Sequence, residues 1–357
     1  MSAVDPADVP AAGASVGASV GADPFAWLPG TVVAVTPQTS RARSITLSVP
    51  GLRPARAGQH VDVRLTADDG YTAVRSYSLS DVRGSWPPRS VESTGGAARV
   101  PEGEVTALAG STLAGQVGVE PASVEPASVE ITVERLDDGE VSPYLVDGAE
   151  VGDPVEVRGP IGGWFVWPPT EFEPDSAVHA VLPEPEGATP PTLAPVQLIG
   201  GGSGVAPLTA MVRARRRDAP PMRLLASVRD PGSRWFVAEL DEAARASSGV
   251  SGAAERDVVG SAGQAERVSS GVSGHGAGAG GAGLSVDWVY SRVAPEGHGR
   301  PAGRLTRDEL ERLVLPAAEH PLVYVCGANS FVEVVAGWLV ELGHAPTRVR
   351  TERFGGV

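Results

Sequence analysis

The feature of this sequence that most narrows its fold is a change of hydrophobic period near residue 195. From Thr31 to about Val166 the dominant period is two. Ile45, Leu47 and Val49 alternate with Thr46 and Ser48, and the pairs or triplets Val61, Val63, Leu65; Ile131, Val133; and Val155, Val157 repeat the pattern. A strand turns successive side chains to opposite faces, so such runs bury one face and wet the other. Short runs of this kind, separated by Gly/Pro turns, predict a small antiparallel barrel or sandwich. Beyond residue 195 the pattern is different. Val196–Ile199 is a short, wholly apolar run, as in a parallel strand buried on both faces. A glycine loop follows it, then a helical stretch, Leu208–Arg217. Strand-like runs come at Arg223–Val228, Val286–Tyr290 and Leu322–Val325, with a helix over Thr306–Leu315. Strands alternating with helices predict a parallel sheet covered on both faces.

A chain of 357 residues is long enough for two cored domains. Gly and Pro are abundant, at 45 and 32 residues, and cluster in a few stretches that have no apolar periodicity. These set the expected boundaries: an arm over 1–26, a first domain over 27–169, a linker over 170–195 and a second domain over 196–357. Two flexible insertions are expected, at 82–130 and 246–283. The first holds a direct repeat, Val119–Ser123 followed by Val124–Ser128, that cannot bury a face.

All the basic residues are Arg, and the net charge of −14 argues against a nucleic-acid or anionic-membrane binder. The densest basic run, Arg213-Ala214-Arg215-Arg216-Arg217, reads as a solvated helix face. Cys326 is the single cysteine, so no internal disulfide and no cluster held by four cysteines can form. No stretch has the roughly 20 apolar residues of a spanning helix, and residue 1 onward lacks a secretory pattern, so a cytoplasmic protein is expected. Near the C-terminal end, Ser330-x-x-Glu333 suggests a capping box. Phe331, Val334, Val335, Trp338 and Leu342 share a helical stripe, and Gly343 sits where a C-cap glycine would.

Four segments could carry chemistry. In the first, Gly200, Gly201, Gly202 and Gly204 remove side chains after a strand, and Pro207 suits the first turn of a helix. A pyrophosphate could approach that backbone and meet the free N–H groups of the helix. The G-x-G-x-x-G fingerprint is absent, and a tight strand–helix turn with no ligand is the lesser alternative. In the second, Gly139-Glu140-Val141-Ser142-Pro143 places Ser142 as an N-cap and Pro143 at a first helical position. That is either another anion site or an ordinary capped turn. In the third, Arg75-Ser76-Tyr77-Ser78 lies on an alternating strand. Arg75 could pair with a phosphate, Tyr77 could lie against a flat ring, and Ser78 could bond a ring nitrogen. In the fourth, Cys326-Gly327 ends a buried strand, where ligands of open parallel sheets sit, although a lone Cys is more often a small buried hydrophobe.

Together and in this order, these segments resemble the ferredoxin–NADP reductase-like superfamily, closest to the flavoprotein reductases that feed electrons to oxygenases. The resemblance covers roughly 27–169 and 196–357. Arg75, Tyr77 and Ser78 match its flavin-holding R-x-Y-S motif, with Ser76 between them. Gly139 and Ser142, with Val141, match the G-x-x-S segment that cradles flavin phosphates. Gly159–Phe165 is similar to the G-P-x-G-x-F run that closes the barrel. Gly200–Pro207 matches the nucleotide loop, and Cys326-Gly327 the pair that positions nicotinamide.

The resemblance implies an antiparallel six-stranded β-barrel that binds FAD, followed by an α/β parallel-sheet domain that binds NADPH or NADH. It further implies catalytic roles for Ser78 and Cys326 and a separate electron-acceptor protein, a ferredoxin or an oxygenase component. The family often ends in an aromatic residue over the flavin, and Phe354 is the candidate here. Arg229 and Arg292 follow strands of the second domain, where the adenosine ribose would lie, and lean the expectation toward NADPH. Two other readings fit the same residues: a reductase with a small acceptor such as free flavin or a quinone, and a non-catalytic subunit that keeps only the nucleotide fold.

Overall fold

The computed structural model describes residues 26–67, 69–83, 127–169, 187–216, 219–247 and 283–354. Most of the expected arm, of the direct repeat and of both expected insertions lies outside the described residues. The last two residues of the repeat, Ala127 and Ser128, are described. Ser128 already pairs with Ser48 at the start of a strand, so the first insertion does not extend to 130 as expected.

The alternating runs form a closed antiparallel barrel of six strands: β1 (Leu28–Thr39), β2 (Ala42–Ser48), β3 (His60–Thr66), β4 (Thr72–Asp81), β5 (Ser128–Glu134) and β6 (Pro154–Ile161). Their spatial order is β1-β2-β5-β4-β3-β6, and β6 pairs back onto β1 with Leu28 opposite Val157. The inward positions are the periodic ones: Ile45, Leu47, Val61, Val63, Ile131, Val133 and Val157 are almost fully buried. Trp27, at the entry to β1, packs against two guanidinium groups, with Arg64 at 4.4 Å and Arg158 at 4.7 Å from its ring centre.

The second unit is a five-stranded parallel sheet in the order β11-β10-β7-β8-β9. Its strands are β7 (Val196–Gly201), β8 (Met222–Val228), β9 (Leu284–Tyr290), β10 (Leu322–Ala328) and β11 (Val349–Phe354). The helices are α1 (Val205–Ala214), α2 (Val237–Ser247), α3 (Arg307–Leu313) and α4 (Asn329–Glu341). The central strands β7 and β10 bury nearly every side chain, which is why they read as continuous apolar runs.

Several local expectations change. The last helix has no capping box, because α4 starts directly from β10 with Ala328 at its N-cap and Ser330 inside its first turn. The capping box belongs to α3, where the Thr306 side chain and Glu309 satisfy each other's backbone N–H groups. The buried stripe of α4 is Val332, Val335 and Leu339, and Val334 points outward, 45% exposed. Gly343 does end that helix, at φ +93°. Strand β11 and helix α2 had no counterpart in the sequence reading. β11 is six residues long and mostly polar, and α2 is rich in charged residues and buries only Leu240, so neither offers a conspicuous apolar run.

The two units are joined by two buried arginines. Arg213 on α1 is 9% exposed and donates to Ser80 O (3.0 Å), to Glu130 of β5 (2.6 Å) and to Glu239 of α2 (2.6 Å). The reading of the basic run as a solvated face therefore fails at its first member. Arg350 of β11 donates to the carbonyls of Trp164 and Val166 at 3.1 and 3.2 Å, and Tyr324 of β10 donates to Val166 O at 2.7 Å. Buried side chains of the barrel, α1 and the sheet form one continuous apolar cluster around these contacts.

Candidate active site

The junction between barrel and sheet collects most of the singled-out residues. Strand β4 carries Arg75, Ser76, Tyr77 and Ser78, and alternation splits them between two faces. Ser76 turns to the barrel wall, where its hydroxyl donates to Asp62 at 2.6 Å. Arg158 donates to the same carboxylate at 2.6 Å. Burial opposes ionisation of Asp62, but Ser76 and Arg158 outweigh it and lower its pKa. Arg75 is half exposed and reaches Glu140 at 2.9 Å. Tyr71 donates to the other oxygen of Glu140 at 3.0 Å. The R-x-Y-S strand and the Gly139–Ser142 loop therefore meet at one carboxylate.

That loop is not built as the sequence suggested. Ser142 is buried and does not cap a helix: its hydroxyl accepts the Leu136 N–H at 3.1 Å and closes the 136–142 loop. The single helical turn that follows, Tyr144–Gly148, is of π type and has no side-chain cap. Val141 is also buried, so its side chain belongs to the core. Gly139 is required by packing, since a Cβ there would stand 2.7 Å from the Ser142 hydroxyl.

Ser78, at the inner end of β4, faces the last strand of the other unit. Its hydroxyl lies 3.4 Å from Glu352 Oε1, and His60 Nδ1 lies 3.7 Å from the same oxygen. Glu352 stands opposite Cys326 in the β10–β11 register. Burial pushes the Glu352 pKa up to about 7, against a weaker lowering by Ser78. Burial lowers the His60 pKa while Asp62 raises it, so the His60–Glu352 contact is not a fixed ion pair. Cys326 is fully buried, and burial with the neighbouring Glu352 holds its thiol protonated, well above its ordinary pKa. Glu352 Oε2 is buried without a hydrogen-bond partner. Sequence reasoning missed both Glu352 and His60. The only signal for Glu352 was an acid in a terminal segment already scanned for its aromatic residue.

The glycine loop lies beside this cluster. A Cβ on Gly204 would fall 2.2 Å from Cys326 O, and one on Gly201 would fall 2.6 Å from the Phe331 ring. These glycines let β10, α4 and the loop touch. Gly327, at φ +154°, is held against the same ring and Gly201 O. Gly202 is different: it sits at φ +57° with open space where a side chain would be. Pro207 is buried in the first turn of α1, where a missing N–H costs nothing.

Beyond the loop, a cleft of about 270 Å³ runs from Gly202 and Ser203 to Arg229 and Asp230, and the barrel contributes Arg41 and Glu134 to its wall. Arg229 follows β8 and Arg292 follows β9, and they are adjacent through Arg292 N–H donating to Arg229 O at 2.9 Å. Phe354 ends β11, half-buried and packed against the main core.

No protein-family model matches the sequence. A flavohemoprotein from Bacillus subtilis is 22% identical over 307 residues, 84% of this chain and 51% of that protein, so the chain spans about half the length of this curated relative. Among solved structures, the flavohem-like FAD/NAD-binding domain of a nitric oxide dioxygenase from Vibrio cholerae aligns over 92% of this chain and 99% of its own, with TM-score 0.57 and 18% identity. The fold is that of the ferredoxin reductase-like FAD/NAD-binding modules. An Amycolatopsis cytochrome P450 reductase shares it at TM-score 0.57 and 20% identity, over 92% of this chain and 70% of its own. A ferredoxin NADP+ reductase from Neisseria gonorrhoeae, solved with FAD and NADP, shares it at TM-score 0.53 and 14% identity, over 92% and 98%. In this ferredoxin reductase-like fold, the Ser78–Glu352–Cys326 cluster lies where the barrel meets the carboxyl ends of β10 and β7. Among the described residues, no helix is long and apolar enough to cross a membrane.

Proposed function

We propose that this chain is an FAD-dependent NAD(P)H reductase that hands electrons to a separate acceptor protein, a ferredoxin or an oxygenase component. The observation that carries the reading is the meeting of Ser78 with Glu352 across the domain boundary, where Glu352 stands opposite Cys326 in the sheet and Cys326 lies against the glycine loop. The residues present fit a flavin. Glu352 Oε2 is a buried polar atom still lacking a partner, and Arg75 is a half-exposed cation on the same strand as Ser78.

When bound, FAD supplies the conversion of a hydride into electrons released one at a time. Arg75 would hold a phosphate in place of Glu140, Tyr77 would support the ring, and the Gly139–Ser142 loop would offer backbone donors to the phosphates. Ser78 would orient the reacting edge by hydrogen bonding. The free space at Gly202 and the N-terminus of α1 would hold the dinucleotide pyrophosphate. Arg229 and Arg292 would hold its adenosine end. Cys326, kept protonated and apolar, would shape the nicotinamide pocket and exclude water, so most of the rate would come from positioning. The names of two relatives, a cytochrome P450 reductase and the ferredoxin reductase of a carbazole dioxygenase, support a protein acceptor.

The test is a visible spectrum of the purified chain after loading with FAD, followed by anaerobic NADH or NADPH. The expected result is a yellow protein bleached by at least one coenzyme. A chain that retains no flavin, or whose bound flavin neither coenzyme reduces, ends the proposal.

A further inference from the structure

The cleft beyond the glycine loop is walled by both domains, and its charges are arranged in an unexpected way. On the sheet side it presents Gly202 and Ser203 at the start of α1, and Arg229 with Asp230 after β8. On the barrel side it presents the β1–β2 turn with Arg41, and Glu134 at the end of β5. Glu134 Oε1 lies 4.0 Å from Arg229 Nη1. Arg229 is 63% exposed and Glu134 33%, so both can still meet a ligand. Arg41 is anchored elsewhere, on Arg135 O and Asp137, at 3.1 and 3.0 Å.

A pyrophosphate at Gly202 and Ser203 would direct the adenosine ribose along this cleft toward Arg229. There a 2′-phosphate and a 2′-hydroxyl make opposite demands. The phosphate needs the guanidinium unshared and no carboxylate nearby. The hydroxyl is a donor that a carboxylate accepts. Glu134 takes part of the charge of Arg229 and sets its own negative charge at the same point.

We propose that Glu134, a residue of the barrel, sets coenzyme choice in the neighbouring domain, by repelling a 2′-phosphate and accepting from a ribose hydroxyl. This rests on the reductase reading above, and it opposes the lean toward NADPH that Arg229 and Arg292 alone suggested. Discrimination is thereby written across the domain boundary and depends on the two units keeping their relative placement.

The experiment uses the full chain and two probes that need no flavin chemistry: adenosine 5′-monophosphate and adenosine 2′,5′-bisphosphate, titrated calorimetrically. Glu134→Gln keeps the volume and removes the charge, and Glu134→Arg reverses it. For a partly exposed pair at 4 Å, the expected gain is about 5-fold in bisphosphate over monophosphate affinity for Glu134→Gln, and more for Glu134→Arg. The kcat/KM ratio of NADPH to NADH, with ferricyanide as acceptor, should rise in parallel, mainly through KM. An unchanged affinity ratio in both variants overturns the inference and leaves the reductase reading intact. A wild-type chain that binds neither probe and oxidises neither coenzyme overturns both.

Discussion

Ser78 and Glu352, 274 residues apart in the chain, meet at 3.4 Å where the barrel touches the last strand of the sheet. Each is supplied by a different domain, so the pair exists only in the assembled fold. The carboxyl is mostly buried and its pKa is pushed up to about 7, because burial disfavours the charged form more than Ser78 favours it.

That shift has a sign that can be measured in the flavin-free protein. Below the unfolded pKa of 4.5, Glu352 is neutral in both states and has no pH-linked effect. As pH rises from there toward 7, the unfolded chain loses the proton first, so folding becomes progressively less favourable, and above 7 the penalty is complete. Glu352→Gln should remove this decline. The variant should gain on the order of 2 kcal/mol over wild type between about pH 4.5 and pH 8, read from urea unfolding at the two values. His60 titrates nearby with the opposite linkage: its lowered pKa costs stability as pH falls. The wild-type-minus-variant difference is therefore the quantity to follow. A difference that does not change with pH would contradict the assigned shift.

Arg75→Ala should leave the fold nearly untouched and empty the flavin site. Its partner Glu140 is half exposed, as is Arg75 itself, and exposed pairs contribute under about 1 kcal/mol. The expected outcome is a melting temperature of the flavin-free protein close to wild type, with flavin content after loading reduced several-fold. Full flavin retention would remove Arg75 from the phosphate site.

Arg213→Met should destabilise the protein by about 3 kcal/mol, because it leaves Glu130, 17% exposed, without its cation. Adding Glu130→Gln should recover part of that loss. Equilibrium denaturation of the single and double variants measures it. Two independent, additive losses would mean the pair is not coupled.

The glycines of the nucleotide loop should separate into two kinds. Gly204→Ala forces a Cβ to within 2.2 Å of backbone at Cys326, so the loop must shift and folding should suffer by several kcal/mol. Gly202→Ala meets nothing, and costs only the strain of φ +57°, about 1 kcal/mol. It should fold normally yet weaken NAD(P)H binding, because the methyl group would stand where the pyrophosphate approaches. Thermal melts and coenzyme KM values distinguish the two.

Much of this molecule was legible in its residue order. The period of two marked β2, β3, β5 and β6, since each buries alternate side chains against one barrel interior. The apolar run before Gly200 marked β7 because a central parallel strand is buried on both faces. What the order hid depended on distant partners. Arg213 looks like any surface arginine until Glu130 and Glu239 surround it, and Glu352 looks like a tail residue until β11 adds to the sheet edge. Ser142 was misread because its partner is the Leu136 N–H behind it and not the helix ahead.

The two arginines that bridge the units bear on how the protein comes apart. Arg213 and Arg350 each insert a guanidinium from one unit into backbone carbonyls of the other, at separate points on one shared apolar core. The sheet unit supplies both cations, so melting of the barrel alone would strip both guanidiniums of their acceptors. Melting of the sheet unit alone would leave Glu130 and the carbonyls of Ser80, Trp164 and Val166 without their donors. Heating should therefore produce one calorimetric transition, with the van't Hoff and calorimetric enthalpies in agreement, and limited proteolysis should not release a surviving half.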